Sequence, residues 1–200
     1  SANWRSIFSE KLTANFSFGY DHYDYRNDES VEEAAAARLS FAINQWFGKV
    51  DFSYKLDNNH TLNFGLMSQF YNINSGTYEP LHESSLVKWD QLQKDKALES
   101  AIYIGDQWEI TPKLSVNAGI RYSMFNLLGP RTYYTYQDGM LPSSTTVVDS
   151  VSVGGGKVVK TYQGPEFRLS ARYAFNDDFS VKAGFNTMRQ YIHKVSNTTI

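Results

Sequence analysis

Apolar and polar residues alternate along most of this chain with a period of two. Leu12, Ala14, Phe16, Phe18 and Tyr20 are interleaved with Thr13, Asn15, Ser17 and Gly19. Val50, Phe52, Tyr54 and Leu56 are interleaved with Lys49, Asp51, Ser53 and Lys55. Leu62, Phe64, Leu66 and Phe70 alternate with Thr61, Asn63, Gly65 and Gln69, and Leu114 to Met124 repeats the pattern. Phe167 to Phe175 and Phe179 to Phe185 close the series. Side chains of an extended chain point to opposite faces in turn, so each run predicts a strand with one apolar and one polar face. With a short strand near Trp4 to Phe8 and one before TPK, the pattern predicts about eight strands joined as antiparallel hairpins.

The connections alternate in length. SEK, DNNH, TPK and NDD are tight turns, whereas the stretches 26–38, 72–96 and 126–165 read as long loops. AAAA at 34–37 and KWDQLQKDKAL at 88–98 are expected to form short helices inside those loops. Short turns at one rim and long loops at the other are the plan of an outer-membrane barrel. The faces agree with it. The apolar runs carry no charge at the strand centres, while Lys49, Asp51, Arg121, Arg168, Arg172 and Lys182 share the other face with Gly, Ser, Asn and Thr. Aromatics gather at both ends of the runs: Tyr20, Phe70 and Tyr122 toward the loops, Tyr54, Trp108, Phe175 and Phe179 toward the turns. Two such bands resemble interfacial girdles. Lipid is therefore expected outside, against Phe16, Phe52, Phe64, Ile120, Leu169 and Val181. Water is expected inside, against Asn15, Asp51, Asn63, Asn117, Arg168 and Lys182. The fold class is all-β, an antiparallel transmembrane outer-membrane β-barrel, present in part. A complete small barrel (an adhesin, an anchor or an enzyme) and a soluble lipocalin-like barrel are the alternatives.

Composition changes this picture little. The 200 residues carry a formal net charge of -2, which speaks against nucleic-acid binding, and no cysteine. Aromatics make up 16% of the chain, a share the girdles absorb. No apolar run approaches the ~20 residues of a membrane helix, and the start, SANWRSIFSE, does not read as a secretory signal.

Two segments resemble the barrel of TonB-dependent outer-membrane receptors. In ALESAIYIGDQWEITPKLSVNAGIRYSMF the resemblance falls on Tyr103, Asp106, Trp108, Thr111, Pro112, Gly119, Arg121 and Tyr122. In GPEFRLSARYAFNDDFSVKAGFNTMRQYIHKVSNTT it falls on Glu166, Arg168, Ser170, Arg172, Tyr173, Gln190, Tyr191, His193, Ser196, Asn197 and Thr198. That ending is similar to the Bacteroidetes-type branch. Gly105 and Phe167 depart from the family pattern, which has Gln and Pro there. The resemblance implies a slice, residues 1–200, of one barrel domain of about 22 strands without its plug. It implies a Gram-negative outer membrane with the long loops extracellular. The implied partners are membrane lipid, the rest of the barrel and its plug, the inner-membrane energy-coupling protein TonB, and a scarce nutrient: an iron chelate, cobalamin, a glycan or a peptide. The strand edges at 3–8 and 179–192 are expected to pair with strands outside this chain.

Candidate chemistry is sparse. His22, His60, His82 and His193 show no metal-ligand spacing. In DHYDY, alternation turns His22 away from Asp21, leaving Asp24 as its nearest acidic partner. GGGK at 154–157 lacks the flanking residues of a phosphate loop, and DESVEE at 28–33 reads as a solvated acidic loop. No catalytic group, metal site or cofactor is expected. Arg121, Glu166, Arg168 and Arg172 share one lumen face and form either a ladder of ion pairs bracing wall and plug or contacts to an anionic solute. Tyr191 and His193 lie beyond the last spanning run, where they could reach an external vestibule.

Overall fold

Four tight turns are built by one device in the computed structural model, which describes residues 1–192. The first polar side chain of each turn accepts from backbone N–H groups two and three residues ahead. Ser9 Oγ accepts from Lys11 and Leu12 at 3.3 and 3.1 Å, and Asp57 Oδ1 from Asn59 and His60 at 2.7 and 2.8 Å. Thr111 Oγ1 accepts from Lys113 and Leu114 at 3.2 and 3.0 Å, and Asn176 Oδ1 from Asp178 and Phe179 at 3.1 and 2.7 Å. Such side chains mimic a backbone turn, so SEK, DNNH, TPK and NDD reverse the chain without a long loop.

Around these turns the wall is laid down in chain order. Its strands are β1 (Ala2–Ile7), β2 (Leu12–Glu29), β3 (Ala37–Lys55), β4 (His60–Pro80), β6 (Asp95–Thr111), β7 (Leu114–Leu128), β10 (Val158–Ala174) and β11 (Ser180–Asn186). Each pairs antiparallel with the next, with a two-residue β5 (Asp90–Gln91) added to β4. A separate hairpin, β8 (Arg131–Tyr136) with β9 (Val147–Val153), rises between β7 and β10. The sheet is open: β1 and β11 end the path and do not pair with each other.

The strands run further past the long-loop rim than alternation predicts. β2 continues to Glu29, β4 to Pro80 and β7 to Leu128, so the expected loops at 26–38, 72–96 and 126–165 narrow to shorter connections. Beyond the apolar runs polar residues enter both faces of β2 and β4, and β7 ends on the run Phe125, Asn126, Leu127, Leu128, so the period-two signal is lost while the backbone ladder continues. The two expected helices are also corrected. Glu33–Ala35 is a single 3-10 turn and Ala37 already begins β3, while 88–98 supplies β5 and the start of β6. Four alanines carry no apolar stripe, and an unpaired edge of β4 offers backbone partners that a short helix cannot match. GGGK forms the turn between β9 and β10, with Gly156 at φ +74°.

Cross-strand register sorts the side chains into rows. One outward row reads Ala14, Phe52, Phe64, Ile104, Ile120 and Phe167, and the next reads Trp4, Phe16, Val50, Leu66, Ile102 and Tyr122. One inward row reads Arg5, Asn15, Asp51, Gly65, Tyr103, Arg121 and Glu166. Burial is inverted relative to a water-soluble sheet. Ile120 and Leu169 on the apolar face are 44% and 52% exposed, whereas Ser123 and Glu166 on the polar face are 0% and 4% exposed. Polar side chains crowd together inside, and the apolar face is left to the surroundings. From His60 to Phe70 β4 advances about 33 Å at ~3.3 Å per residue, or about 25 Å of height at the ~40° tilt of barrel strands. That matches the apolar belt of an outer-membrane barrel. Tyr20 packs tilted against Trp46 at 4.5 Å at the loop end of the belt, and Tyr173 meets Phe175 edge-on at 4.8 Å at the turn end.

Candidate functional site

The inward face carries a polar ladder at mid-wall. β7 and β10 are registered so that Arg121 lies opposite Glu166, and β6 places Tyr103 on Arg121's other side. Arg121 sits between two carboxylates, 3.8 Å from Glu99 and 3.8 Å from Glu166. Glu99 also accepts a hydrogen bond from the Tyr71 hydroxyl at 3.1 Å, and Glu166 accepts one from Ser123 Oγ at 2.7 Å. Beneath this, Asp51 pairs with Lys49 at 2.9 Å and accepts from the Tyr103 hydroxyl, which lies over Gly65. A side chain at Gly65 would collide with that ring, so the glycine makes room for the Tyr103–Asp51 contact. These are fixed charges on the wall, suited to bracing and orienting a polar body.

Beyond β11 the chain leaves the sheet. Thr187 still exchanges bonds with Phe167, its N–H to the carbonyl at 2.9 Å and its Oγ1 from the Phe167 N–H at 2.7 Å. Tyr191 then crosses the inward face, where its hydroxyl meets Ser123 Oγ at 2.7 Å and its ring stacks on Phe125 at 5.3 Å.

The structure therefore brings Arg121, Glu166 and Tyr191 together and leaves Arg168 and Arg172 exposed further down β10. Tyr191, expected beyond the last spanning run, meets Ser123 and Phe125 on the inward face of the outer half of β7. His193 lies outside the described residues. Glu99, Ser123, Tyr71 and the Tyr103–Asp51 contact were missed as candidates. Their signal was the phase of β6 and β7, which puts Glu99, Tyr103 and Ser123 in step with Arg121.

The remaining candidates fall elsewhere. On the outer face His22 Nδ1 hydrogen-bonds Asn44 at 2.7 Å, and its Nε2 lies 3.5 Å from Asp24. His60 opens β4 rather than standing free in a turn. It bonds Asp106 at 2.6 Å and stacks on Trp108 at 5.2 Å, which lets a carboxylate sit on the apolar face near the turn rim. Among the described residues no group of three His, Asp or Glu is placed to hold a metal. Across the outer loop between β2 and β3, Arg38 grips Asp28 in a two-point fork at 2.7 and 2.8 Å and holds its carboxyl below the ordinary range. In the DNNH turn the Asn59 and His60 N–H groups do the same for Asp57.

Comparison with known proteins agrees with this geometry. The family model described as TonB dependent receptor-like, beta-barrel matches residues 64–189, more than half of the chain. No curated protein matches. Among solved structures, "Copper transporter OprC" superposes with a TM-score of 0.64 at 11% identity, over 91% of this chain and 29% of its own. "Structure of the FpvAI-pyocin S2 complex" gives 0.59 at 13% identity, over 92% and 25%. The ferric-catecholate import receptor Fiu from E. coli K12 gives 0.55 at 12% identity, over 94% and 35%. The chain spans roughly a third or less of the length of these structures. An antiparallel wall with lipid outside and a polar ladder inside is an arc of an outer-membrane β-barrel. The chain belongs to the TonB-dependent receptor β-barrel family.

Proposed function

We propose that this chain is part of the wall and outer loops of a receptor that takes up a scarce nutrient across the outer membrane of a Gram-negative bacterium. The observation that carries this reading is the inverted burial of the sheet, apolar outside and charged inside, on strands that match the receptor family. A wide wall of this kind needs a body in its lumen, and the mid-wall ladder of Glu99, Arg121 and Glu166 braces it. The turn rim faces the periplasm, and the loops and the β8–β9 hairpin face the exterior, where they select the cargo: an iron chelate, cobalamin, a glycan or a peptide. Release into the periplasm is driven from the inner membrane through TonB acting on the lumen domain, so transport rather than bond chemistry is the task. The Bacteroidetes-type ending at 190–198 adds the branch of the family.

Intact cells carrying the full receptor test the orientation and the function together. Added protease should cut within 81–89 and 137–146 and spare 57–60, 111–113 and 176–178, and deleting the receptor should abolish growth on one limiting nutrient. Cleavage confined to the tight turns refutes the orientation, and unimpaired uptake of every nutrient class refutes the receptor role.

A further inference from the structure

A carboxylate stands on the lipid-facing side of the wall, inside the apolar belt. Asp106 lies on the outward face of β6, opposite Leu62 on β4 and Ala118 on β7, with Ile104 and Trp108 before and after it on the same face. His60, which opens β4 at the foot of the belt, reaches it with Nδ1 2.6 Å from Asp106 Oδ2. The imidazole lies against Trp108, its cross-strand neighbour, at 5.2 Å and 19° between the rings. The pair is incomplete at both ends. Asp106 Oδ1 is buried without a hydrogen-bond partner, and among the described residues no Lys or Arg pairs with this carboxylate. His60 Nε2 likewise has no partner among the described residues. An ionised carboxylate only accepts, so Nδ1 carries the proton and Nε2 of the neutral ring presents a lone pair. The dyad is then a net anion on a hydrocarbon-facing surface, which is costly unless a cation sits against it. The His60 and Asp106 side chains are 29% and 31% exposed and Trp108 is 42% exposed, so the dyad is open to the bilayer.

We propose that His60, Asp106 and Trp108 form a site for the primary ammonium of a phosphatidylethanolamine headgroup in the leaflet at the turn rim. An ammonium brings both things the dyad lacks, a positive charge and N–H donors. One N–H meets His60 Nε2, and the charge is balanced by Asp106 behind the ring. The exposed Trp108 ring offers its π face to the same cation, an attraction that strengthens out of water. Depth agrees: His60 and Trp108 share the row at the turn end of the belt, the level of headgroups and of interfacial Trp. A quaternary ammonium brings the charge without an N–H, and a headgroup with only a phosphate meets a like charge, so the geometry selects the primary amine. The inference needs only a wall with lipid outside and is independent of the cargo.

Native mass spectrometry of the full receptor tests this. The protein is purified in detergent and mixed with equal amounts of phosphatidylethanolamine, phosphatidylcholine and phosphatidylglycerol carrying the same acyl chains. The first lipid retained should be phosphatidylethanolamine, at least about tenfold over phosphatidylcholine, the scale of one charged hydrogen bond. Asp106→Asn removes the charge and should abolish the preference. His60→Lys should abolish it too, because the lysine carries its own ammonium to Asp106; heat-modifiable migration on gels shows that both variants are folded. Equal retention of the three lipids by the unaltered receptor overturns the proposal and leaves ordinary boundary contact. A preference for phosphatidylglycerol overturns it as well, since His60 Nε2 would then be donating to a phosphate. So does a phosphatidylethanolamine preference that survives in both variants, which seats the lipid elsewhere on the wall. None of these results bears on the receptor reading.

Discussion

Glu166 is the residue whose removal best tests the mid-wall ladder. Replacing it with Leu deletes the acceptor of the Ser123 hydroxyl and one of the two carboxylates flanking Arg121. A hydrogen bond to a charged group contributes about 1.5–3 kcal/mol, and breaking a buried pair by removing one partner costs about 3–5 kcal/mol. Arg121 keeps Glu99 at 3.8 Å and its side chain is 22% exposed, so the lower end applies. Glu166→Leu should therefore destabilise by about 3 kcal/mol, or roughly a 150-fold shift in the folding equilibrium. Glu166→Gln keeps an oxygen for Ser123 and loses only the charge, so about 1 kcal/mol is expected. Arg121→Met combined with Glu166→Leu removes both charges and should cost less than the two single changes together, by about 1–2 kcal/mol. The assay is urea unfolding of the whole receptor in lipid vesicles, with stability taken from the midpoint and slope. Additive single effects, or a Glu166→Leu variant within about 0.5 kcal/mol of the unaltered protein, would show that Arg121 and Glu166 do not act as a pair.

Two further outcomes follow from the faces and the loops. Ile120 lies within the outward apolar run of β7, between Leu114 and Met124, so Ile120→Arg should cost about 2–4 kcal/mol; Asn63→Arg, on the wet face, should cost under ~1 kcal/mol, and equal costs would contradict the assignment of faces. The Asp28–Arg38 fork holds the Asp28 carboxyl below its ordinary pKa of 3.8, so its contribution is complete above that value and is lost as pH falls through the lowered one. Pepsin should accordingly cut within 30–36 faster at pH 2 than at pH 4, with Asp28→Asn raising the rate at pH 4; a pH-independent rate after correction for pepsin's own profile would show that the fork does not close the loop.

The wall was legible in the sequence because its two solvents differ. Phe16, Phe52 and Val181 meet lipid while Asn15, Asp51 and Lys182 meet water, and that contrast writes a period of two into every spanning segment. Past the belt both faces are wet, and the outer parts of β2, β4 and β10 read as loop although their ladders continue. Register was less legible. The TPK turn makes β6 and β7 neighbours, but a register shift between Glu109 and Thr111 moves Arg121 opposite Tyr103, where counting from the turn would place Tyr122. Arg121 and Glu166 are separated by a long connection containing a hairpin of its own, so the sequence shows their shared face but not that they meet. Asp106 breaks the alternation, and only the approach of His60 from the neighbouring turn explains how it does so.

The central claim, lipid on one face of this wall and water on the other, is tested most directly by single cysteines along β7 in the full receptor. These 200 residues contain no native cysteine, so each introduced thiol reports alone within them. In lipid vesicles, cysteines at Ser115, Asn117, Gly119 and Arg121 should react with a charged, water-soluble maleimide. Those at Val116, Ala118, Ile120 and Tyr122 should resist it and, when carrying a fluorophore, be quenched by brominated lipid. Strict alternation in that phase is the result expected here. Reactivity without alternation, or with the two sets exchanged, would contradict the account.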